Sequence, residues 1–319
     1  MKIAPVTAAD LRGSVLAVPP MPRNADGTIA PEANRRVLDH LRAGRVTTFM
    51  YGGNANFYNL GVAELGQVLD VLTPMLAAGD WLIPAVGADF GKAAEQIALL
   101  RERAFPTAMV LPLRFPSTPA GAASGIGKLA SRYGKPVIAY VKDEGYIRNG
   151  DLAALVKDGS VCAVKYAIVR HDPRQDPVLA DLVQRMGPDL IVSGIGERPV
   201  IDHFCGFGLR AFTSGSTCVA PALSNRIREA LHAGDFATAK ATRELFMPLE
   251  DVRDAYSPIR VLHAAVELAG IAPTGPIGEF LSVIEDKQLL DKLRAIALEL
   301  LARNDAVLAR PQEKRIAAT

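Results

Sequence analysis

A lysine and a phenol stand near the ends of two apolar segments. Val161-Cys162-Ala163-Val164-Lys165-Tyr166 has no charged side chain before Lys165, and Val137-Ile138-Ala139-Tyr140 finishes in a tyrosine. Runs of this kind fit strands buried on both faces, as in a parallel sheet covered by helices. A lysine at the end of such a strand either reaches water or sits in a pocket that favours its neutral amine. That amine is a nucleophile for carbonyl carbons, and a phenol on the neighbouring strand would pass protons to and from the adduct. The two strands alone leave a second reading open, in which Lys165 pairs with a surface carboxylate and Tyr140 completes a core.

Positioning both groups requires a frame, and strand and helix signals alternate along the chain. Strands are expected at residues 13–18, 46–51, 81–86, 107–111, 137–140, 161–166, 190–193 and 209–213. Pro31 suits a first helical position and opens a helix whose apolar face is Val37, Leu38 and Leu41. Leu65, Val68, Leu69, Leu72 and Leu76 recur at the helical period. Further helices are expected over 89–103, up to Tyr133, over 151–157, up to Met186 and over 198–207.

Eight strands alternating with helices predict a (β/α)8 TIM barrel over residues 1–235. An open doubly wound sheet would more often carry a glycine fingerprint after its first strand, and Val18-Pro19-Pro20 is unlike one. Strand signals stop near residue 236. Two helical patterns follow, around Leu262–Leu268 and Leu289–Leu301, so residues 236–319 read as a helical region packed on the barrel, with 310–319 a frayed end.

The bulk properties exclude several classes. The 319 residues are 49% hydrophobic and 22% charged with a formal net charge of +2, which gives no electrostatic footprint for nucleic acid or an anionic membrane. Apolar runs are strand-sized, so no bilayer span is expected, and the first residues show no signal-peptide apolar region. Cys162, Cys205 and Cys218 form no C-x-x-C pair and fit thiols in a reducing cytoplasm. The five histidines show no ligand spacing, and no metal is expected.

In a barrel, catalytic groups come from the C-terminal ends of the strands. Those ends carry Tyr51-Gly52-Gly53-Asn54, Val86-Gly87, Leu113-Arg114, Tyr140, Lys165, Ser193-Gly194-Ile195-Gly196 and Ser214-Gly215-Ser216. The glycine turns allow backbone N–H groups to approach a ligand, and such nests bind carboxylates. Gly53, Asn54, Gly194, Ile195 and Ser214 are therefore candidate substrate contacts. Arg114 is read either as a bidentate carboxylate ligand or as half of an inter-subunit ion pair. Lys142-Asp143-Glu144 reads as a solvated loop or, alternatively, a substrate contact, His171-Asp172 as a capped turn or, alternatively, an acid–base pair, and Phe57 and Tyr58 as packing or interface residues.

At this point a family resemblance is visible. TTFMYGGNANFYNL (47–60), VIAYVKDEGY (137–146), VCAVKYAI (161–168), IVSGIGE (191–197), AFTSGSTCVAP (211–221) and SPIRVLHAAVELAGI (257–271) fall in the order and spacing of one family. They resemble the conserved segments of the dihydrodipicolinate synthase/N-acetylneuraminate lyase family of Schiff-base aldolases, over nearly the whole chain. The resemblance implies an eight-stranded barrel, a helical C-terminal region and a homo-oligomer, a tetramer or a dimer. It also implies Lys165 as the imine-forming lysine and Tyr140 as the catalytic tyrosine.

There are departures from the family pattern. Its two threonines map onto Gly53 and Asn54, the glutamate after them onto Asn56, and its second relay tyrosine onto Arg114. The arginine that holds a second carboxylate in the lysine-pathway synthase falls at Gly145, which argues against that synthesis. The expected activity is a lyase or aldolase acting on pyruvate or a related 2-oxo acid. It needs no cofactor, because the lysine imine is itself the electron sink. The alternatives are a dehydratase or deaminase of a sugar-acid or hydroxyproline-derived acid through the same imine, and a barrel that binds a keto acid without turnover.

Overall fold

The strand segments pair in chain order and close on themselves. The computed structural model describes residues 1–309; the expected frayed end, 310–319, lies outside them. Helix α1 (Ala8–Gly13) is followed by β1 (Leu16–Ala17), α2 (Pro31–Ala43), β2 (Thr48–Tyr51), α3 (Val62–Leu72), β3 (Trp81–Val86), α4 (Phe90–Arg101) and β4 (Met109–Val110). The second half runs α5 (Pro119–Tyr133), β5 (Val137–Val141), α6 (Asn149–Lys157), β6 (Val161–Tyr166), α7 (Pro177–Met186), β7 (Ile191–Ser193), α8 (Val200–Phe207) and β8 (Ala211–Ser214). Every neighbouring pair is parallel and β8 pairs back onto β1, so the sheet is the expected closed eight-stranded barrel. Helices α9 (Pro221–His232), α10 (Phe236–Glu244), α11 (Met247–Ala255), α12 (Pro258–Leu268) and α13 (Lys287–Leu308) complete the fold.

A parallel sheet inside a ring of helices is buried on both faces, which is why its strands lack polar alternation. All six residues of β3 are buried. Some of the loops that lead into helices end on capping side chains: Asp89 accepts from Lys92 N, Thr118 from Gly121 N and Asp176 from Leu179 N. Gly134 closes α5 at φ 69°, the left-handed conformation that favours glycine.

The structure corrects several boundaries. Residues 13–18 and 107–111 were expected to be strands, but β1 and β4 are two-residue strands within them. The burial does extend further, through Val15 and Val18 at 0% and 6% exposed. Hydrophobic runs report burial, whereas strand limits depend on where the parallel partner can complete a hydrogen-bonded ladder. Helix α1 is absent from the sequence reading, although its capping box, Thr7 with Asp10, is a local signal. Helices α9 to α11 were not anticipated either.

Register decides which side chains face the barrel interior. Tyr140 pairs with Lys165, Lys165 with Val192, and Val192 with Ala211, so these four share the inner face. The alternate set, Tyr166, Ser193 and Phe212, faces the helices. Tyr166 accordingly donates its hydroxyl to Asp176 Oδ2 on the cap of α7 at 2.6 Å, and Ser193 Oγ meets His203 Nδ1 at 2.8 Å. No helix among the described residues is long and apolar enough to cross a membrane.

The C-terminal helices return to the barrel. Helix α12 packs against the turn after β2. Helix α13 reaches back to α9, where Ala222 N donates to Asn304 Oδ1 at 2.8 Å. Asn304 is fully buried, so Asn304→Ala leaves that N–H without a partner. Such a loss costs about 1–3 kcal/mol, and urea unfolding of the variant should show a lower midpoint with an unchanged slope.

Candidate active site

Lys165 ends the inward-facing set of β6 and is 5% exposed. Its Nζ stands 4.6 Å from the centroid of the Tyr140 ring on the paired strand. The structure thus brings together the two residues that the sequence singled out, and Lys165 has no carboxylate partner among the described residues. Burial, with the charge of Lys142 second, holds the pKa of its amine down at about 7. The Tyr140 ring pulls the other way, because a π face favours a cation. That attraction is worth about 2 kcal/mol at a desolvated site, whereas full burial shifts a lysine by roughly 3–5 pKa units, or about 4–7 kcal/mol. Desolvation wins, and the amine is largely neutral just above neutral pH.

The Tyr140 phenol is pushed up to about 12, chiefly by burial, with Asp143 adding to the shift and Arg114 and Arg253 opposing it. A phenol that remains protonated is a proton donor. Tyr58, expected to pack or to lie at an interface, is within electrostatic reach of Tyr140, Arg114 and Tyr146.

Gly194 follows β7 beside the lysine stem. A Cβ there would lie 2.6 Å from the Tyr166 carbonyl oxygen, 2.9 Å from Ala167 Cβ and 3.0 Å from Lys165 Cγ. Glycine is therefore what lets the lysine stand upright at that point. Its N–H already donates to Tyr166 O at 2.6 Å, so this residue shapes the site rather than offering a free donor.

The turn after β2 is a 3-10 turn over Gly53–Ala55. Ala55 N and Phe57 N donate to Gly52 O, and Asn56 N donates to Gly53 O. The N–H groups of Gly53 and Asn54 come first in the turn and have no partner within it. The side chain of Asn54 donates to Val18 O at 2.9 Å, tying the turn to the end of β1. Asn56, left-handed at φ 57°, and Asn59 both donate to Glu279 O, at 3.0 and 3.2 Å. Asn54, Asn56 and Asn59 are staples between loops.

Ser214 does not face the mouth, which corrects the sequence expectation. It pairs in register with Ala17 on the outer-facing set. Its hydroxyl donates to Glu197 Oε2 at 2.8 Å and accepts from Thr217 N at 2.9 Å. Behind the ends of β7 and β8 lies a buried network that the sequence reading missed. Ser224 donates to the other oxygen of Glu197 at 2.6 Å, and Ser216 donates to Glu250 Oε1 at 2.5 Å. Arg253 meets Glu250 at 3.0 Å and donates to Ile195 O at 2.8 Å, so the Ile195 carbonyl is likewise held by the protein. Burial pushes both carboxyls up; the charge of Glu250 adds to the shift at Glu197, while at Glu250 burial outweighs the nearby Arg253 guanidinium and the Ser216 hydroxyl.

Arg114, at 69% side-chain exposure, binds Asp143 bidentately at 2.8 and 2.6 Å. This partner lies within the chain. Glu144 is taken by Arg170 at 2.6 Å. Asp172 accepts from Arg174 N as the turn reading anticipated, and His171 is exposed. A cavity of about 400 Å³ beside Arg114, Asp143 and Tyr146 opens at this rim. A larger one, about 1140 Å³, lies elsewhere between Arg23, His263 and the 273–284 segment.

Comparison with known proteins agrees with the geometry. The model of the dihydrodipicolinate synthetase family matches residues 11–295. A protein of Streptomyces coelicolor named "Probable 5-dehydro-4-deoxyglucarate dehydratase 2" is 24% identical over 275 residues, 84% of this chain and 83% of that protein. A 5-dehydro-4-deoxyglucarate dehydratase of Rhizobium meliloti, also named as probable, is 26% identical over 77% of this chain and 82% of its own length. Dihydrodipicolinate synthase from Bacillus clausii superposes with a TM-score of 0.80 at 21% identity, covering 93% of this chain and 98% of that one. N-acetylneuraminate lyase from Mycoplasma synoviae superposes at 0.76 and 14% identity, over 92% and 100%.

Keeping Lys165 buried has a signature in stability. The unfolded lysine titrates near 10.4 and the folded one at about 7. Between these values the unfolded chain holds a proton that the folded chain lacks, so stability rises with pH across that window. Below about pH 7 both states are protonated, and the burial of the cation opposes folding in full, by up to about 5 kcal/mol. Lys165→Met should therefore melt above the parent at pH 6, with the gap closing by pH 10.

Proposed function

The chain belongs to the dihydrodipicolinate synthetase family, and from that membership we propose that it is a lyase working through an imine between Lys165 and a 2-oxo acid. The observation that carries this reading is the neutral, buried amine of Lys165 standing over the Tyr140 ring. The amine attacks C2 of the acid and forms a carbinolamine. Tyr140 gives a proton to the departing hydroxyl, water leaves, and an iminium remains. The N–H groups of Gly53 and Asn54 hold the carboxylate beside C2.

The iminium then withdraws electrons from the C3 side. One course breaks the C3–C4 bond, giving an aldehyde and an enamine that is reprotonated. Another removes a proton from C3 and expels a hydroxyl from C4 as water. The names of the two curated relatives favour the second course, dehydration of a sugar acid. Gly145 supports the departure from the lysine-pathway synthesis: at φ 79° it occupies a conformation that an arginine rarely adopts. A homo-oligomer of cytoplasmic location fits the family reading.

Borohydride reduction in the presence of pyruvate and a panel of other 2-oxo acids tests the imine. Peptide mapping should place the adduct on Lys165, and Lys165→Arg should abolish it because a guanidinium stays protonated. An adduct on another lysine, or none with any acid, overturns the reading. Product analysis of the acids that turn over separates cleavage from dehydration.

Tyr140 has no hydrogen-bond partner for its hydroxyl among the described residues. Its proton therefore passes to substrate or water, and Tyr140→Phe should slow turnover by about 10²–10⁴-fold with little change in substrate binding. Steady-state kinetics read this; turnover within about threefold of the parent would move the proton shuttle elsewhere, with Tyr58 the next phenol to examine.

A further inference from the structure

The cations around the mouth differ in whether the protein has already matched them. Two N–H groups of Arg114 are held by Asp143. Arg170 is held by Glu144 and Asp176. Arg253 is held by Glu250, Asp254 and the Ile195 carbonyl. Lys142 is the exception. It has no carboxylate within ion-pair distance among the described residues, because its neighbours Asp143 and Glu144 are both engaged by arginines.

The placement of Lys142 gives that cation a direction. It follows Tyr140 by two residues, and the ladder with β6 still runs beside it, Ala167 N donating to Val141 O at 2.8 Å. Alternation along an extended strand therefore puts Lys142 on the same inward side as Tyr140, about 6–7 Å nearer the opening. Its charge is felt at Lys165. The side chain is open to solvent, while the surrounding mouth and the Arg114 guanidinium hold its pKa below the usual value against Asp143. An ammonium one layer above an imine-forming lysine meets the far end of whatever is bound to that lysine.

The geometry points to Lys142 as the residue that selects 2-oxo acids bearing a second carboxylate at the distal end, a role that rests on the imine reading above. A six-carbon acid attached through C2 to Lys165 extends from the nucleophile toward the Lys142 layer. Its terminal carboxylate would complete the ion pair that the protein leaves open. A monocarboxylic acid of the same length would bring an apolar end to an unmatched cation.

The test compares 2-oxoadipate with 2-oxohexanoate, acids of equal length that differ in the distal carboxylate. Borohydride trapping at pH 8 over a range of concentrations gives a half-saturation value for each. Their ratio cancels any change in the protonation of Lys165. The parent should favour the diacid by about tenfold, a modest factor because the pair is partly solvated. Lys142→Met should abolish that preference while leaving trapping of 2-oxohexanoate and pyruvate within about threefold, and Lys142→Arg should keep it. Equal half-saturation for both acids in the parent, or equal loss of both in Lys142→Met, overturns the role of Lys142.

Thermal shifts with adipate and hexanoate, which cannot form an imine, separate this inference from the one beneath it. Stabilisation by adipate that is lost in Lys142→Met supports the distal contact even if Lys165 traps nothing. Trapping that proceeds without diacid preference leaves the imine standing and removes Lys142.

Discussion

Exclusion of water from one amine governs the rest of this site. A lysine whose ammonium is solvated is unreactive toward carbonyls near neutral pH, and Lys165 escapes that state only because the barrel surrounds it. The inner face of β6 and its neighbours supplies the surroundings, Ala163 beneath it and Val192 beside it, both buried. Gly194 leaves the space its stem needs. The Tyr140 ring covers the amine without offering a negative charge, so it restrains the group in place and still allows burial to set its protonation.

The two walls of the mouth are held by different means. On the β2 side, Asn54, Asn56 and Asn59 bind backbone carbonyls of Val18 and Glu279, joining three loops through neutral hydrogen bonds. On the β7–β8 side, the carboxyls of Glu197 and Glu250 gather three serine hydroxyls and Arg253. A buried ion pair is weak evidence for stability, since replacement by apolar groups is often neutral. Its geometry nonetheless fixes the Ile195 carbonyl and leaves little room beside Gly196, where a Cβ would come within 2.6 Å of Arg253. Loops at the rim of a barrel cannot rely on apolar packing alone, because their backbone groups need partners.

In the proposed mechanism, Gly53 and Asn54 at the positions that the resemblance gives to threonines would change the proton path more than the carboxylate site. Backbone N–H groups at the start of the turn do not depend on the side chains that were exchanged. A hydroxyl relay would, and no hydroxyl among the described residues is hydrogen-bonded to Tyr140. Tyr58, from the turn that follows, brings a phenol to the same neighbourhood on a different segment.

The chain by itself determined the barrel and its chief pair of residues. Eight apolar runs with helical patterns between them can be buried on both faces only in a covered parallel sheet, and their length and spacing are local properties. Lys165 and Tyr140 were legible for the same reason, as polar side chains near the ends of runs that otherwise exclude them. The limits of β1 and β4, and the outward turn of Ser214, were decided by register, which depends on partners far along the chain. Pairing of charges was decided in the same way: Arg114 with Asp143, 29 residues on, and Glu197 with Ser224 and the neighbours of Glu250. Sequence shows which charges exist, but only the folded chain shows which of them are matched, and hence that Lys142 is left to face the mouth.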